Sequence, residues 1–209
     1  GMNPAVSSPD SNFTCKAMDK LKWMVAIDIF ETETATFWKR PGVSAQDNDT
    51  EVFMLPAATA LEKEGSVTSS ARWMQWRYKA LEPPGDAEHD LWIINKLMLK
   101  LKELYAAEGG PNAEAIASLT WDYGSPPDVH KVAKEINGYD LTTGKLVDLF
   151  TKLKDDGTTS SGNWLYCNQY TEDKGNKMKR RTPVDNSAKG IGLYSNWSWC
   201  WPFNRRIIY

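Results

Sequence analysis

Hydrophobic positions in the first sixty residues follow two different spacings. Phe13, Ala17 and Leu21 recur at helical intervals and predict a short amphipathic helix over residues 11–21. That segment feeds an apolar run with no alternation, Trp23-Met24-Val25-Ala26-Ile27, ended by Asp28. An unbroken run of this kind suits a strand buried on both faces, as in a parallel sheet. Residues 31–38 predict a second short helix, with Thr32 and Thr34 near its start and acids in the first turn. A polar loop over 40–50 then leads to a second strand, Glu51-Val52-Phe53-Met54-Leu55, stopped by Pro56. Strand, helix, strand reads as a βαβ unit and predicts parallel pairing.

Further along, Leu91, Ile94, Leu97, Leu101, Leu104 and Tyr105 mark one long helix between Gly85-Asp86 and Gly109-Gly110. Val129, Val132, Ala133 and Ile136 form a second helical stripe, and Leu146, Leu149, Phe150 and Leu153 a third. All three stripes are expected to be packing faces. From Asp155 onward Gly, Ser, Thr, Asn and Lys dominate, broken by tryptophans and tyrosines, and the chain ends in what reads as the start of a strand. There is no internal repeat.

Composition narrows the function classes. The 209 residues carry a formal charge of −2, against the basic excess usual in nucleic-acid and membrane-surface binders, so neither partner is expected. No stretch approaches the roughly 20 apolar residues of a transmembrane helix. The opening GMNPAVSSPD has neither the basic region nor the apolar core of a signal peptide. Cys15, Cys167 and Cys200 stand far apart with no CxxC spacing, and the histidines are His89 and His130 alone. A zinc or iron–sulfur site built by this chain is therefore not expected.

Asp28 falls where ligands sit in open parallel sheets, at the carboxyl end of a strand, and an acid there commonly grips ribose hydroxyls. A turn or capping aspartate fits the same spacing, and both readings stand open. Thr32 could offer a hydroxyl to the same ligand or cap the helix. Residues 61–72 form a Gly/Ser/Thr loop flanked by acids and closed by Arg72, fit either to wrap polar cofactor atoms or to serve as plain surface. The basic run over 177–181 reads as a solvated face. Ten tryptophans raise a glycan-binding module as a rival, but Trp23, Trp73, Trp76 and Trp92 lie in apolar segments where they are expected to fill core. The three Asn-x-Ser/Thr triplets, at Asn12, Asn48 and Asn196, carry little weight.

Taken in order, several segments resemble one family. Gly1-Met2-Asn3-Pro4-Ala5, Val25-Ala26-Ile27-Asp28-Ile29-Phe30-Glu31-Thr32, Phe53-Met54-Leu55-Pro56-Ala57-Ala58 and Glu62-Lys63-Glu64-Gly65-Ser66-Val67-Thr68 are similar to the major (alpha) subunit of molybdenum- or tungsten-dependent formate dehydrogenase. Arg72-Trp73-Met74-Gln75-Trp76-Arg77, Glu82-Pro83-Pro84-Gly85, Trp164-Leu165-Tyr166 and the closing Asn196-Trp197-Ser198-Trp199-Cys200-Trp201-Pro202-Phe203-Asn204-Arg205-Arg206 continue the likeness. The resemblance implies a middle fragment of a longer subunit, without that subunit's cysteine clusters, metal ligand or C-terminal domain. It implies an α/β fold, an incomplete doubly wound parallel sheet with flanking helices and a loop-rich C-terminal tail. The division expected is a cofactor-supporting part over 1–155 and a tail over 156–209.

The implied cofactor is bis-molybdopterin guanine dinucleotide with molybdenum or tungsten, not held tightly by the fragment. Asp28 and Thr32 would meet its guanosine portion, and Glu64, Gly65, Ser66, Arg72 and Gln75 would line it. Ser69 and Ala71 depart from the Asn and Gly of many relatives. Implied partners are the rest of the alpha subunit and an iron–sulfur beta subunit, with formate as substrate, a periplasmic setting and no direct membrane contact. By itself the chain is expected to be inactive, and the alternative is a remnant domain that binds no cofactor.

Overall fold

A computed structural model describes residues 2–69, 73–179 and 199–200. The chain divides into two compact units, one of Gly1–Lys63 with Ala80–Ile94 and one of Glu64–Lys79 with Asn95–Tyr209.

In the first unit, helix α1 (Pro4–Ser7) precedes α2 (Ser11–Met18). The Asp10 carboxylate accepts the Phe13 N–H at 2.8 Å and starts α2, whose inward residues are Cys15 and Met18. Strands β1 (Trp23–Asp28) and β2 (Glu51–Pro56) pair in parallel, Trp23 opposite Glu51 and Asp28 opposite Pro56, as the βαβ pattern predicts. Past β2, Ala57 bridges Glu88 in the same parallel sense. The Glu88 N–H donates to the Pro56 carbonyl at 3.1 Å, and the Ala58 N–H donates to the Glu88 carbonyl at 2.8 Å.

Two expectations are corrected here. Residues 31–38 form no α-helix but a single turn followed by a 3-10 turn at Phe37–Lys39. Three threonines are the cause: Thr32, Thr34 and Thr36 are β-branched poor helix formers, the Thr36 hydroxyl bonds the Thr32 carbonyl, and the Thr34 hydroxyl is drawn to the distant Asn3. Nor is β1 buried on both faces. Trp23, Val25 and Ile27 are 62%, 43% and 36% exposed, and their same-face neighbours Phe53 and Leu55 are 46% and 37% exposed. The described residues supply nothing that covers this face, so Trp23 fills no core.

The loop before β2 is tied down by charge. Asp19 takes both terminal nitrogens of Arg40, one at 3.0 Å, and accepts the Asn48 amide at 2.7 Å, while Thr50 Oγ1 donates to the Met18 and Leu21 carbonyls. The Arg40 hydrogen bonds hold the Asp19 carboxyl below its ordinary range, and Asp19 in turn raises Arg40.

The second unit holds the hairpin β3 (Gly65–Ser69) and β4 (Trp73–Arg77), antiparallel with Ser66 opposite Trp76. The long helix α3 (Asp90–Glu108) begins in the first unit, and α4 (Ala113–Ser118) and α5 (Val129–Asn137) follow. Strands β5 (Tyr139–Asp140), β6 (Lys145–Leu146) and β7 (Thr159–Ser160) make a small antiparallel sheet in the order β6-β5-β7. A short hairpin, β8 (Tyr170–Thr171) and β9 (Gly175–Asn176), follows, and β10 (Trp199–Cys200) pairs with β4 on the side away from β3. Met74, Trp76, Ala133 and Met178 form the core, with Val129, Tyr166 and Tyr170 packed against it.

Three further corrections concern this region. Residues 65–69, expected within a loop, are strand, because Met74 and Trp76 on β4 alternate inward and draw residues 65–69 into a ladder. The stripe over 146–153 is no helix: Leu146 lies in β6 with its N–H given to Glu172 Oε1, the Val147 N–H goes to Gly138, and Phe150–Lys152 is a 3-10 turn. The α3 stripe is not a core face, since Ile94, Leu97 and Leu104 are 42%, 55% and 40% exposed. Apolar residues occur on every side of α3, more than its described neighbours can cover. The result is a mixed α/β arrangement of helices and small sheets.

The Asp19–Arg40 pair carries a pH prediction. Asp19 is depressed in the folded state, so its contribution is complete above the ordinary aspartate value of 3.8 and is lost as pH falls through the lower folded value. Asp19→Asn should cost about 1.5–3 kcal/mol at pH 7. In urea titrations compared across pH, the gap between wild type and variant should close as the pH drops below 3.8.

Candidate functional site

In the first unit Asp28 sits half-buried at the carboxyl end of β1, beside the Pro56 end of β2. Its carbonyl accepts the Ala57 N–H at 3.0 Å, and its Oδ1 accepts the Ile29 N–H at 2.8 Å. Oδ2 has no hydrogen-bond partner among the described residues. One carboxylate oxygen therefore shapes the turn, while the other is left to meet a donor from outside. Four residues on, the Thr32 carbonyl accepts both the N–H and the Oγ1–H of Thr36 at 3.0 Å, closing the single turn.

That turn is pinned by Asn3, a residue the spacing arguments did not single out. Asn3 Oδ1 accepts the Thr34 Oγ1–H at 2.6 Å and the Thr34 N–H at 3.2 Å. Its Nδ2 donates to Glu33 Oε2 at 2.6 Å, and Thr34 Oγ1 accepts the Ala5 N–H at 3.0 Å. The signal was present in Asn3-Pro4, an amide held before a proline-started turn, but its partners lie about thirty residues away in sequence.

In the second unit Gly65, Ser66 and Gln75 lie on the β3–β4 hairpin, with Glu64 just ahead of it, but not on one face. Ser66 pairs with Trp76 and shares its face, whereas Gln75 pairs with Val67 on the other face with Gly65. Arg72 lies outside the described residues, as do residues 180–181 of the basic run. Glu64, just before β3, accepts the Trp76 indole N–H on Oε1 at 2.6 Å. Trp76 is 1% exposed, and the His130 ring stacks on it with centroids 4.6 Å apart and planes 19° apart. The Lys179 Nζ lies 5.6 Å from the Trp76 centroid and 5.4 Å from that of Tyr78. His130, which sequence reasoning weighed only as an absent metal ligand, thus stands with its Nε2 3.8 Å from Glu64 Oε1, behind the closer Trp76 indole. Burial chiefly, and then the Lys179 charge, lower its pKa against the opposing pull of Asp128 and Glu64.

Cys15 and Cys167 are buried and free, and Cys167 donates to the Asn137 carbonyl at 2.9 Å, its pKa raised by burial. Among the described residues no cluster of His, Cys, Asp and Glu could hold a metal ion, and no helix is long and apolar enough to cross a membrane.

Residues 46–100, which include β2, the hairpin and the start of α3, match the family model described as molybdopterin oxidoreductase. Formate dehydrogenase 2 subunit alpha (cytochrome c-553) of Nitratidesulfovibrio vulgaris is 44% identical over 223 positions, covering 100% of this chain and 21% of the relative. Formate dehydrogenase subunit alpha of Megalodesulfovibrio gigas is 45% identical, with 100% and 22% covered. The nitrate-inducible formate dehydrogenase major subunit of Escherichia coli K12 is 40% identical, again over 100% and 22%. The chain belongs to the molybdopterin oxidoreductase family. Within it, the chain corresponds along its whole length to a stretch of formate dehydrogenase alpha subunits, and it spans about a fifth of the length of these relatives.

The clamp at Asn3 is open to direct measurement. Asn3→Ala should lower stability by about 1–2 kcal/mol, since it leaves Thr34 without its acceptor. Amide exchange at Thr34 and Thr36 should quicken while exchange along β1 and β2 stays unchanged.

Proposed function

We propose that this chain is the part of a formate dehydrogenase alpha subunit that holds one guanine dinucleotide arm of the molybdopterin cofactor. The observation that carries the reading is the identity of 40–45% along the entire chain to formate dehydrogenase alpha subunits. The geometry of Asp28 supports it, an acid with one open oxygen at the carboxyl end of a parallel strand, where nucleotides bind in α/β sheets. Asp28 and Thr32 meet the guanosine portion. Glu64, Gly65, Ser66, Arg72 and Gln75 line the cofactor along the hairpin.

When bound, the molybdenum or tungsten cofactor supplies the two-electron chemistry that turns formate into carbon dioxide. This chain's residues bind and orient; the electrons leave through iron–sulfur centres, including those of a beta subunit, in a periplasmic enzyme. Residues 1–155 serve as the cofactor-supporting part, and residues 156–209 as the tail leading to a further domain. The parallel order β1, β2 and the bridge at Glu88 supports a share in a doubly wound sheet, and the rest of the alpha subunit covers the bare face of Trp23, Val25, Ile27, Phe53 and Leu55.

Two measurements test this reading. The purified chain should not reduce a viologen dye with formate, and activity above a denatured control would overturn the division of labour. Charge-assisted hydrogen bonds contribute about 1.5–3 kcal/mol each. Asp28→Ala should therefore weaken binding of millimolar GMP or GDP by about tenfold or more in calorimetry, with the melting temperature little changed. A loss of stability with unchanged nucleotide affinity would reduce Asp28 to a turn residue.

A further inference from the structure

His130 is the side chain around which the second unit's polar groups converge. It sits two residues past Asp128, whose Oδ1 caps α5 by accepting the His130 N–H at 2.7 Å. Its ring lies flat on the buried Trp76. Nδ1 is 3.2 Å from the Tyr170 hydroxyl, and Nε2 faces Glu64 Oε1 at 3.8 Å. The same Oε1 accepts the Trp76 indole N–H, so imidazole and indole, stacked together, both address one carboxylate oxygen.

The tautomer follows from these neighbours. A bare ring nitrogen would repel the carboxylate, so the hydrogen of the neutral imidazole is on Nε2. Nδ1 is then the acceptor and Tyr170 the donor. Burial raises the Tyr170 pKa, which keeps that proton in place. Tyr170 is held in turn by its N–H on Asn137 Oδ1 at 3.1 Å and by the Lys134 ammonium 5.3 Å from its ring centre.

We propose that His130 is a positioning residue for Glu64: oriented by Tyr170, it backs the Trp76 indole whose N–H holds Oε1 and faces that same oxygen across 3.8 Å, so that Oε2 is presented to a donor on the bound ligand. The ligand half rests on the reading of Glu64 as a cofactor contact; the coupling of His130 to Glu64 does not. The class of ligand group that Oε2 would take is a neutral N–H donor on a heterocycle edge, for which an ionised acceptor gives a charge-assisted bond.

The charged and titratable groups facing His130 set its pH response. Glu64 ahead of β3 and Asp128 on its own helix favour the imidazolium, Lys179 and Lys134 oppose it, Tyr170 on β8 is neutral, and Trp76 on β4 supplies the buried surface. The folded pKa lies below the ordinary 6.5. The stability that the neutral ring contributes is present above that value and is lost as pH falls through the folded pKa. Protonation strengthens the pull on Glu64 Oε1 and forces Tyr170 to turn from donor to acceptor.

The test uses the intact chain and needs no ligand for its first half. With only two histidines, His89 and His130, both imidazoles can be followed by carbon–proton NMR and assigned with His89→Gln. Glu64→Gln keeps an acceptor for Trp76 and should lower the His130 pKa by about half a pH unit or more, whereas Lys179→Gln should raise it. The Trp76 indole N–H resonance should titrate with His130 and stop doing so in His130→Gln. A His130 titration unmoved by Glu64→Gln, or an indole signal indifferent to it, overturns the proposal.

Millimolar GDP is then added as the probe. GDP-induced shifts around Glu64 that weaken in His130→Gln support the ligand half. If GDP leaves the Glu64 surroundings unmoved while the coupling holds, the cofactor reading of Glu64 and the ligand half fall, and the coupling of His130 to Glu64 remains.

Discussion

At the end of α5 the amide of Asn137, wholly buried, is answered on every side. Its Nδ2 donates to the Val147 carbonyl at 2.8 Å, and its Oδ1 accepts the Tyr170 N–H. Its main-chain carbonyl accepts the Cys167 thiol and, at 3.1 Å, the Ser161 hydroxyl. A buried polar group left unpaired costs about 1–3 kcal/mol, so these four partners must arrive together. One side chain thereby joins the helix that carries His130 to the segment that carries Tyr170. The next residue, Gly138, has φ +109°, and a Cβ there would stand 2.3 Å from the Ser160 carbonyl, so no other residue type fits the exit from α5. The Glu64–Trp76–His130–Tyr170 cluster stands on this junction.

The first unit is governed by a different constraint. Parallel strands are stable where both faces are covered, and here one face of β1 and β2 is apolar and bare. Backbone pairing, the buried alanines at 57, 58 and 87, and the Asp19–Arg40–Asn48 tie hold the pair together from its other side and its ends. Local chemistry therefore suffices to place Asp28 and Thr32 without a complete sheet around them. The two candidate groups belong to separate units.

Legibility in the sequence tracked how local each decision was. The unbroken apolar runs gave β1 and β2 and their parallel sense, and the period of 3.6 gave α2, α3 and α5. Asp28 at a strand's carboxyl end was readable because the run preceding it has no alternation. The family was readable from ordered motifs along the whole chain, and the 40–45% identity to formate dehydrogenase alpha subunits agrees with it.

Long-range partners decided the rest. Residues 31–38 have helical spacing, but the Thr34 hydroxyl is claimed by Asn3, 31 positions away. Leu146 has helical spacing with Leu149, Phe150 and Leu153, yet its N–H belongs to Glu172, 26 positions away. The run over 61–72 looks like loop because nothing in β3 itself is buried; its pairing comes from β4. Glu64 was visible as an acid beside a glycine, but His130 reaches it, and Tyr170 reaches His130, only after α5 and β8 have folded onto the hairpin. Periodicity and residue type are written along the chain, so the sequence determined α2, α3, α5, the parallel strands and the family. Which hydroxyl, amide or imidazole meets which distant acceptor depends on packing, and only the tertiary structure could decide it.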